Sequence, residues 1–293
     1  VRTWIPAAFL AVILAFLLPP VPAFIKKKLR NRPALLFAVP LSLTAIFCVA
    51  AWRSGAFSLP LVLLISGYTL LPAALIFLQG ADAGPATWLD LLVILALWLP
   101  VELNAGSHWI PTRAQGFLHT VAYGVALTLA LFLFLGFRGM KGMKYNLPLR
   151  AMDFIDPVIA FVLIAPILIG LGLALSFLPW FHFSGNWPAG RVAKTFGLIF
   201  AGTALPEEIL FRSLMQNWLM QKFGSTTGVL IVASFIFGCA HLNNGPQPLP
   251  NWRYMILATI AGYAYGRVFQ RASSATASMF LHALVDTTKH VFF

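Results

Sequence analysis

The sequence predicts an all-α fold, a polytopic transmembrane helix bundle with about nine to ten membrane segments. Three observations lead there. Of 293 residues, 60% are hydrophobic and only 10% are charged, against about a quarter charged in a soluble domain. The apolar residues fall in long runs near the ~20 residues a helix needs to cross a bilayer. The basic residues gather in short segments between those runs.

Taken in order, the runs lie at roughly 4–24, 34–52, 60–79, 89–103, 115–137, 154–180, 192–222, 226–242, 253–271 and 275–293. The first lacks a small-residue cleavage site and leads into basic chain, so it reads as a retained helix. The fourth is short, with Asp90 and Glu102 toward its ends, and reads as a crossing or a re-entrant piece. Counting it as a crossing puts the two strongest basic stretches, "KKKLRNR" (Lys26 to Arg32) and "RGMKGMKYNLPLR" (Arg138 to Arg150), on one side. That side is expected to be cytoplasmic and to face anionic lipid, with both termini on the other.

The net charge of +12 is therefore an orientation signal, and no nucleic-acid partner is expected. Aromatic residues in "LPWFHFSGNW" (Leu178 to Trp187) and around Trp88, Trp109 and Trp252 read as an interfacial belt. Cys48 and Cys239 lie within apolar runs without metal-ligand spacing and read as structural thiols. The segment Arg138 to Asp156 is the clearest linker. It divides residues 1–150, a transmembrane region of unassigned role, from residues 151–293, which hold every concentrated polar feature.

Those features are the residues that need explaining, because ionisable groups inside membrane helices are costly. "PEEILFRS" places Glu207, Glu208 and Arg212 together; "FIFGCAHLNN" supplies His241; "FLHALVD" supplies His282 and Asp286. On a helix Glu208 and Arg212 stand at i and i+4, acid before base, so Arg212 neutralises Glu208. Glu207 is turned about 100° away. The expected division is a supporting Glu208–Arg212 pair and a reactive Glu207, with Pro206 bending the helix to admit water.

Depth brings the sets together. From a turn centred near residue 224, Glu207 and His241 lie equally far along two antiparallel helices, about 25 Å from the turn. From a turn near Ser273, His282 and Asp286 stand about 14 and 20 Å along the last helix, on one face, where the Asp can orient the imidazole. Other polar residues have plainer readings. His108 and His182 fall in loops, His119 stands alone at a helix start and His290 lies beside Lys289; Asp153 and Asp156 precede Pro157 and read as helix-start residues.

A carboxylate and two imidazoles in a dry cavity suit activation of water. Glu207, with or without His241, is one general base, while His282 with Asp286 stabilises an oxyanion. The alternative is a zinc ion held by Glu207, His241 and His282. There is no HExxH, and spacing leaves both routes open.

These residues also form three motifs: "EEILFR" fits EExxxR, "FGCAH" (Phe237 to His241) fits FxxxH, and "HALVD" fits HxxxN/D. In order and spacing they resemble the CPBP family of intramembrane proteases, also called the CAAX protease, bacteriocin-processing or Abi family. The resemblance covers about residues 190–293. It implies a protease domain at 151–293 that hydrolyses a peptide bond of a membrane protein or peptide, lipidated in some members. Glu207, His241 and His282 would be catalytic with help from Asp286, and Glu208, Arg212 and Phe237 would support them. Asp286 stands where the eukaryotic CaaX enzymes have Asn; an ionised Asp cannot donate to an oxyanion, so Asp286 is expected to orient His282 or else to be protonated. The expected setting is a lipid bilayer, the bacterial cytoplasmic membrane. Two other classes compete: a non-catalytic immunity or interaction protein, and a proton-coupled transporter using the same residues as a relay.

Overall fold

The computed structural model describes residues 4–181, 189–245 and 247–293, which are helical with no strand among them. Two compact units divide the chain, Val1–Leu147 and Pro148–Phe293.

In the first unit, α1 (Trp4–Ala15) and α2 (Pro20–Asn31) meet at 87°. The first run, read from the sequence as one helix, is therefore two. Pro19 and Pro20 stand at the break, and proline supplies no backbone N–H to carry a helix through. The basic stretch is also corrected, since Lys26 to Asn31 form the end of α2, with Lys28 and Arg30 in the last turn, where the helix dipole favours cations. Next come α3 (Ala38–Arg53), α4 (Leu59–Gln79), α5 (Trp88–Glu102) and α6 (Thr112–Leu131), the last prolonged by a π-helical stretch, Phe132–Phe137. α6 packs against α1, α3 and α5. At Gly124 a Cβ would come within 2.5 Å of the Phe9 ring, so α1 crosses α6 at a distance only glycine permits.

Arg138, read from the sequence as part of a basic stretch facing anionic lipid, is instead buried. Its guanidinium grips Asp90 at 2.9 and 3.0 Å, one nitrogen to each carboxylate oxygen. It also donates to the carbonyls of Ala81, Ala83 and Gly84. Asp90 completes a capping box with Thr87 at the start of α5. The carboxylate at the head of the fourth run is thus tied to the end of the fifth.

In the second unit, α7 (Met152–Ala174) is followed by one long motif-bearing rod. The rod comprises α8 (Ala189–Ile199), a π-helical stretch (Phe200–Ala204), α9 (Leu205–Glu208), a second π-helical stretch (Ile209–Gln216) and α10 (Asn217–Phe223). α11 (Thr227–Cys239), α12 (Trp252–Arg271) and α13 (Thr276–Phe292) complete the unit. α11 and α12 pack closely through Gly238, whose Cβ would lie 1.9 Å from Thr259 Oγ1 and 2.7 Å from the Met255 carbonyl. Asp153, in the first turn of α7, accepts from the Arg150 amide and from the Ser273 amide and hydroxyl at the α12–α13 turn.

Among the described residues four helices are long and apolar enough to span a membrane, or five if α1 and α2 form one bent span. The other runs read from the sequence are shorter or more polar: α11 has 13 residues, and α12 carries Arg253, Arg267 and Arg271.

Candidate functional site

The site is assembled from the motif rod, the end of α11, and α12 and α13. Pro206 sits in α9 between the two π-helical stretches, whose wider turns interrupt the regular ladder where the motif begins. Glu208 and Arg212 point inward and are fully buried; Arg212 Nε donates to Glu208 Oε2 at 3.1 Å. The Arg212 guanidinium lies over the Phe237 ring at 4.7 Å, a contact that holds a cation inside an apolar packing. Gln216 donates to the Gly266 carbonyl at 3.0 Å and ties the rod to α12.

His241 lies in the turn just after α11. Its Nδ1 donates to the Phe237 carbonyl at 2.9 Å. A carbonyl can only accept, so this bond places the proton on Nδ1 and leaves the Nε2 lone pair facing Glu207, whose Oε2 is 3.8 Å away. His282 presents both nitrogens to carboxylates. Nδ1 meets Glu208 Oε1 at 3.1 Å, and Nε2 stands 3.6 Å from Asp286 Oδ2 and 3.9 Å from Glu207 Oε2. The longer separations exceed a direct hydrogen bond and suit a bridging water.

The residues selected from sequence therefore meet: Glu207, Glu208, Arg212, Phe237, His241, His282 and Asp286 form one connected cluster. The structure alters one link. Asp286 alone was expected to orient His282, yet the shorter contact on the ring comes from Glu208, which joins Arg212 to His282. Glu208 could not be assigned this from spacing, because His282 lies 74 positions away.

Sequence reading also missed two tyrosines of α12. Tyr265 stacks on His282 at 4.6 Å and 19°, and Tyr254 meets His241 edge-on at 4.6 Å. The available signal was their spacing, about three helical turns, which sets both on one face of α12. The remaining histidines stay apart. His108 packs on Trp109, His119 stands beside Tyr123 and His290 is exposed, while His182 lies outside the described residues.

Beside the cluster is a cavity of about 80 Å³, walled by α7, α11, α12 and α13. His241, His282 and Asp286 line it; Glu207 lies just outside the lining, within 4 Å of both imidazoles. Among the described residues no group of three or more His, Cys, Asp or Glu side chains is arranged to hold a metal ion.

Residues 189–288 match the family model described as "Type II CAAX prenyl endopeptidase Rce1-like". The match supports the CPBP, or CAAX protease, family. It spans α8 through most of α13 and takes in every residue of the cluster. The match supports an intramembrane CAAX-type endopeptidase that is associated with the lipid bilayer and acts on protein substrates. No curated protein and no solved structure matches the chain.

Proposed function

We propose that residues 151–293 form an intramembrane peptidase domain in which Glu207 and His241 activate a water molecule. The carrying observation is that Glu207 Oε2 stands within 4 Å of Nε2 of both His241 and His282. A water between Glu207 and His241 gives its proton to Glu207, and its oxygen attacks the substrate carbonyl. His282 Nε2–H donates to the oxyanion that forms, with Glu208 holding the ring through Nδ1. Glu207 then returns the proton to the departing amide nitrogen as the C–N bond breaks. Asp286 faces His282 Nε2 and positions it, while Arg212 keeps Glu208 in place. The substrate is a membrane protein or peptide, and the setting is the bacterial cytoplasmic membrane.

The test is cleavage of a fluorogenic membrane-peptide library by the purified protein in detergent, with and without chelator, comparing wild type with Glu207→Gln. Loss of cleavage in Glu207→Gln and indifference to chelator are expected. Cleavage by Glu207→Gln at the wild-type rate would sink the assignment, and loss of wild-type activity on chelation would replace it with a metal mechanism.

A further inference from the structure

The unit Val1–Leu147 lies outside the family match, which begins at residue 189. Within it α3 and α5 each pack against both α4 and α6. The four helices therefore close a ring in which α4 and α6 face each other across the middle. One end of the ring is sealed where Arg138 and Gln79 both donate to Asp90. At the other end lies a cavity of about 420 Å³, against about 80 Å³ beside the Glu207 cluster. Small residues leave the room: Gly116, Ala105 and Ala122 line the space, and a Cβ at Gly116 would meet no atom within 4 Å.

The lining changes along its depth. Asn104 and Ser107 in the α5–α6 connection and Gln115 in the first turn of α6 border the outer end. Ile65, Leu118 and Ala122 lie about 9 to 15 Å along α4 and α6, with Phe47 of α3 among the apolar wall. Among the described residues of the lining none is Lys, Arg, Asp or Glu. Hydrogen-bonding capacity is nevertheless left over. The Asn104 amide and the His119 ring take no hydrogen bond from the described residues, and Gln115 uses only its N–H groups, on the Ser107 and Ile110 carbonyls.

These features select an occupant. A charged head group would lose its water there and find no opposite charge. The volume equals about one turn of a helix about 10 Å across, so the space admits a slender chain and no folded segment. Both α4 and α6 are long and apolar enough to span a membrane, which sets the ends that border the cavity at the level of lipid head groups.

We propose that this cavity binds a neutral single-chain lipid of the monoacylglycerol type, its tail between α4 and α6 and its hydroxylated head at Asn104, Gln115 and His119. An apolar void of this size is costly to leave unfilled, and hydroxyls both donate and accept, as those three side chains require. The site is separate from the Glu207 cluster and does not rest on the peptidase reading.

The test is photolabelling of the full-length protein in phosphatidylcholine nanodiscs by monolauroyl glycerol with a diazirine in its chain, mapped by mass spectrometry. Labelling of residues 100–122 should saturate, and unmodified monolauroyl glycerol should compete. The matching alkyl sulfate and alkyltrimethylammonium probes should label at least about tenfold less, since each buries a charge without a partner. Gly116→Leu puts a side chain into the open space and should abolish labelling with Tm unchanged or higher. Gly67→Leu, on α4 outside the lining where a Cβ also meets nothing, is the control and should label as wild type does. His119→Leu should raise the half-saturating concentration about fivefold, the scale of one lost hydrogen bond. Labelling that does not saturate, that the charged probes match, or that survives Gly116→Leu would each overturn the proposal. Competition by an apolar decapeptide but not by the glyceride would overturn it too, and would make the cavity a peptide site.

Discussion

Glu208 joins His282 to Arg212: one carboxylate oxygen meets the imidazole Nδ1 at 3.1 Å and the other takes the guanidinium Nε at 3.1 Å. The carboxylate is fully buried, so it links two elements far apart in sequence through a dry contact.

Glu207 and Glu208, adjacent in sequence, should therefore fail in different ways. Glu208→Gln strips a buried guanidinium of its charge partner, a change that costs about 3–5 kcal/mol, and should lower Tm sharply. Glu207→Gln, at a partly exposed side chain, should leave Tm within a few degrees while cleavage falls by at least about 100-fold. Thermal unfolding and a peptide-cleavage assay on both variants check this.

Tyr265 holds the face of the His282 ring. Tyr265→Phe preserves the stack and should retain most activity. Tyr265→Ala empties a fully buried site, should cost about 3–5 kcal/mol, and should reduce kcat more than KM as His282 loses its orientation.

Gly238 sets the approach of α11 to α12 just before His241. A methyl group there meets a backbone carbonyl at 2.7 Å, which cannot swing aside as a side chain can. Gly238→Ala should cost about 1–3 kcal/mol or more and displace His241, visible as a lower Tm together with reduced cleavage. Gly228→Ala, where a Cβ meets only Thr226 Oγ1 at 3.9 Å, is the matched control and should be silent.

In the first unit, Asp90→Asn leaves the buried Arg138 charge uncompensated and should destabilise by about 3–5 kcal/mol. Arg138→Met combined with Asp90→Asn should recover part of that loss. A double-mutant cycle in Tm or denaturant midpoint measures the coupling, and additive single effects would refute it.

Much of the site was legible because helical geometry is regular. Equal rise on either side of the Lys222–Ser225 turn matched Glu207 with His241, and the two now face each other at 3.8 Å. The i, i+4 rule likewise matched Glu208 with Arg212 and His282 with Asp286. What spacing along one helix cannot register is a contact between helices. For that reason Glu208 was assigned only to Arg212, and Tyr254 and Tyr265 went unnoticed on faces whose neighbours were unknown. Arg138 was misplaced for the same cause: in a list of basic residues it resembles its solvated neighbours, and only the folded loop at 80–84 supplies the acceptors that bury it.

By itself the sequence determined that this is a helical protein with helices apolar enough to span a membrane, and which polar residues come together in it. Each of these follows from hydropathy and from a constant rise per residue. Only the tertiary structure decided where the first apolar run bends and which carboxylate holds which imidazole. It also set Lys289 in the cavity wall against the rings of Tyr254 and Phe177. Those outcomes depend on which helix faces meet, and that is settled by packing among all the helices at once.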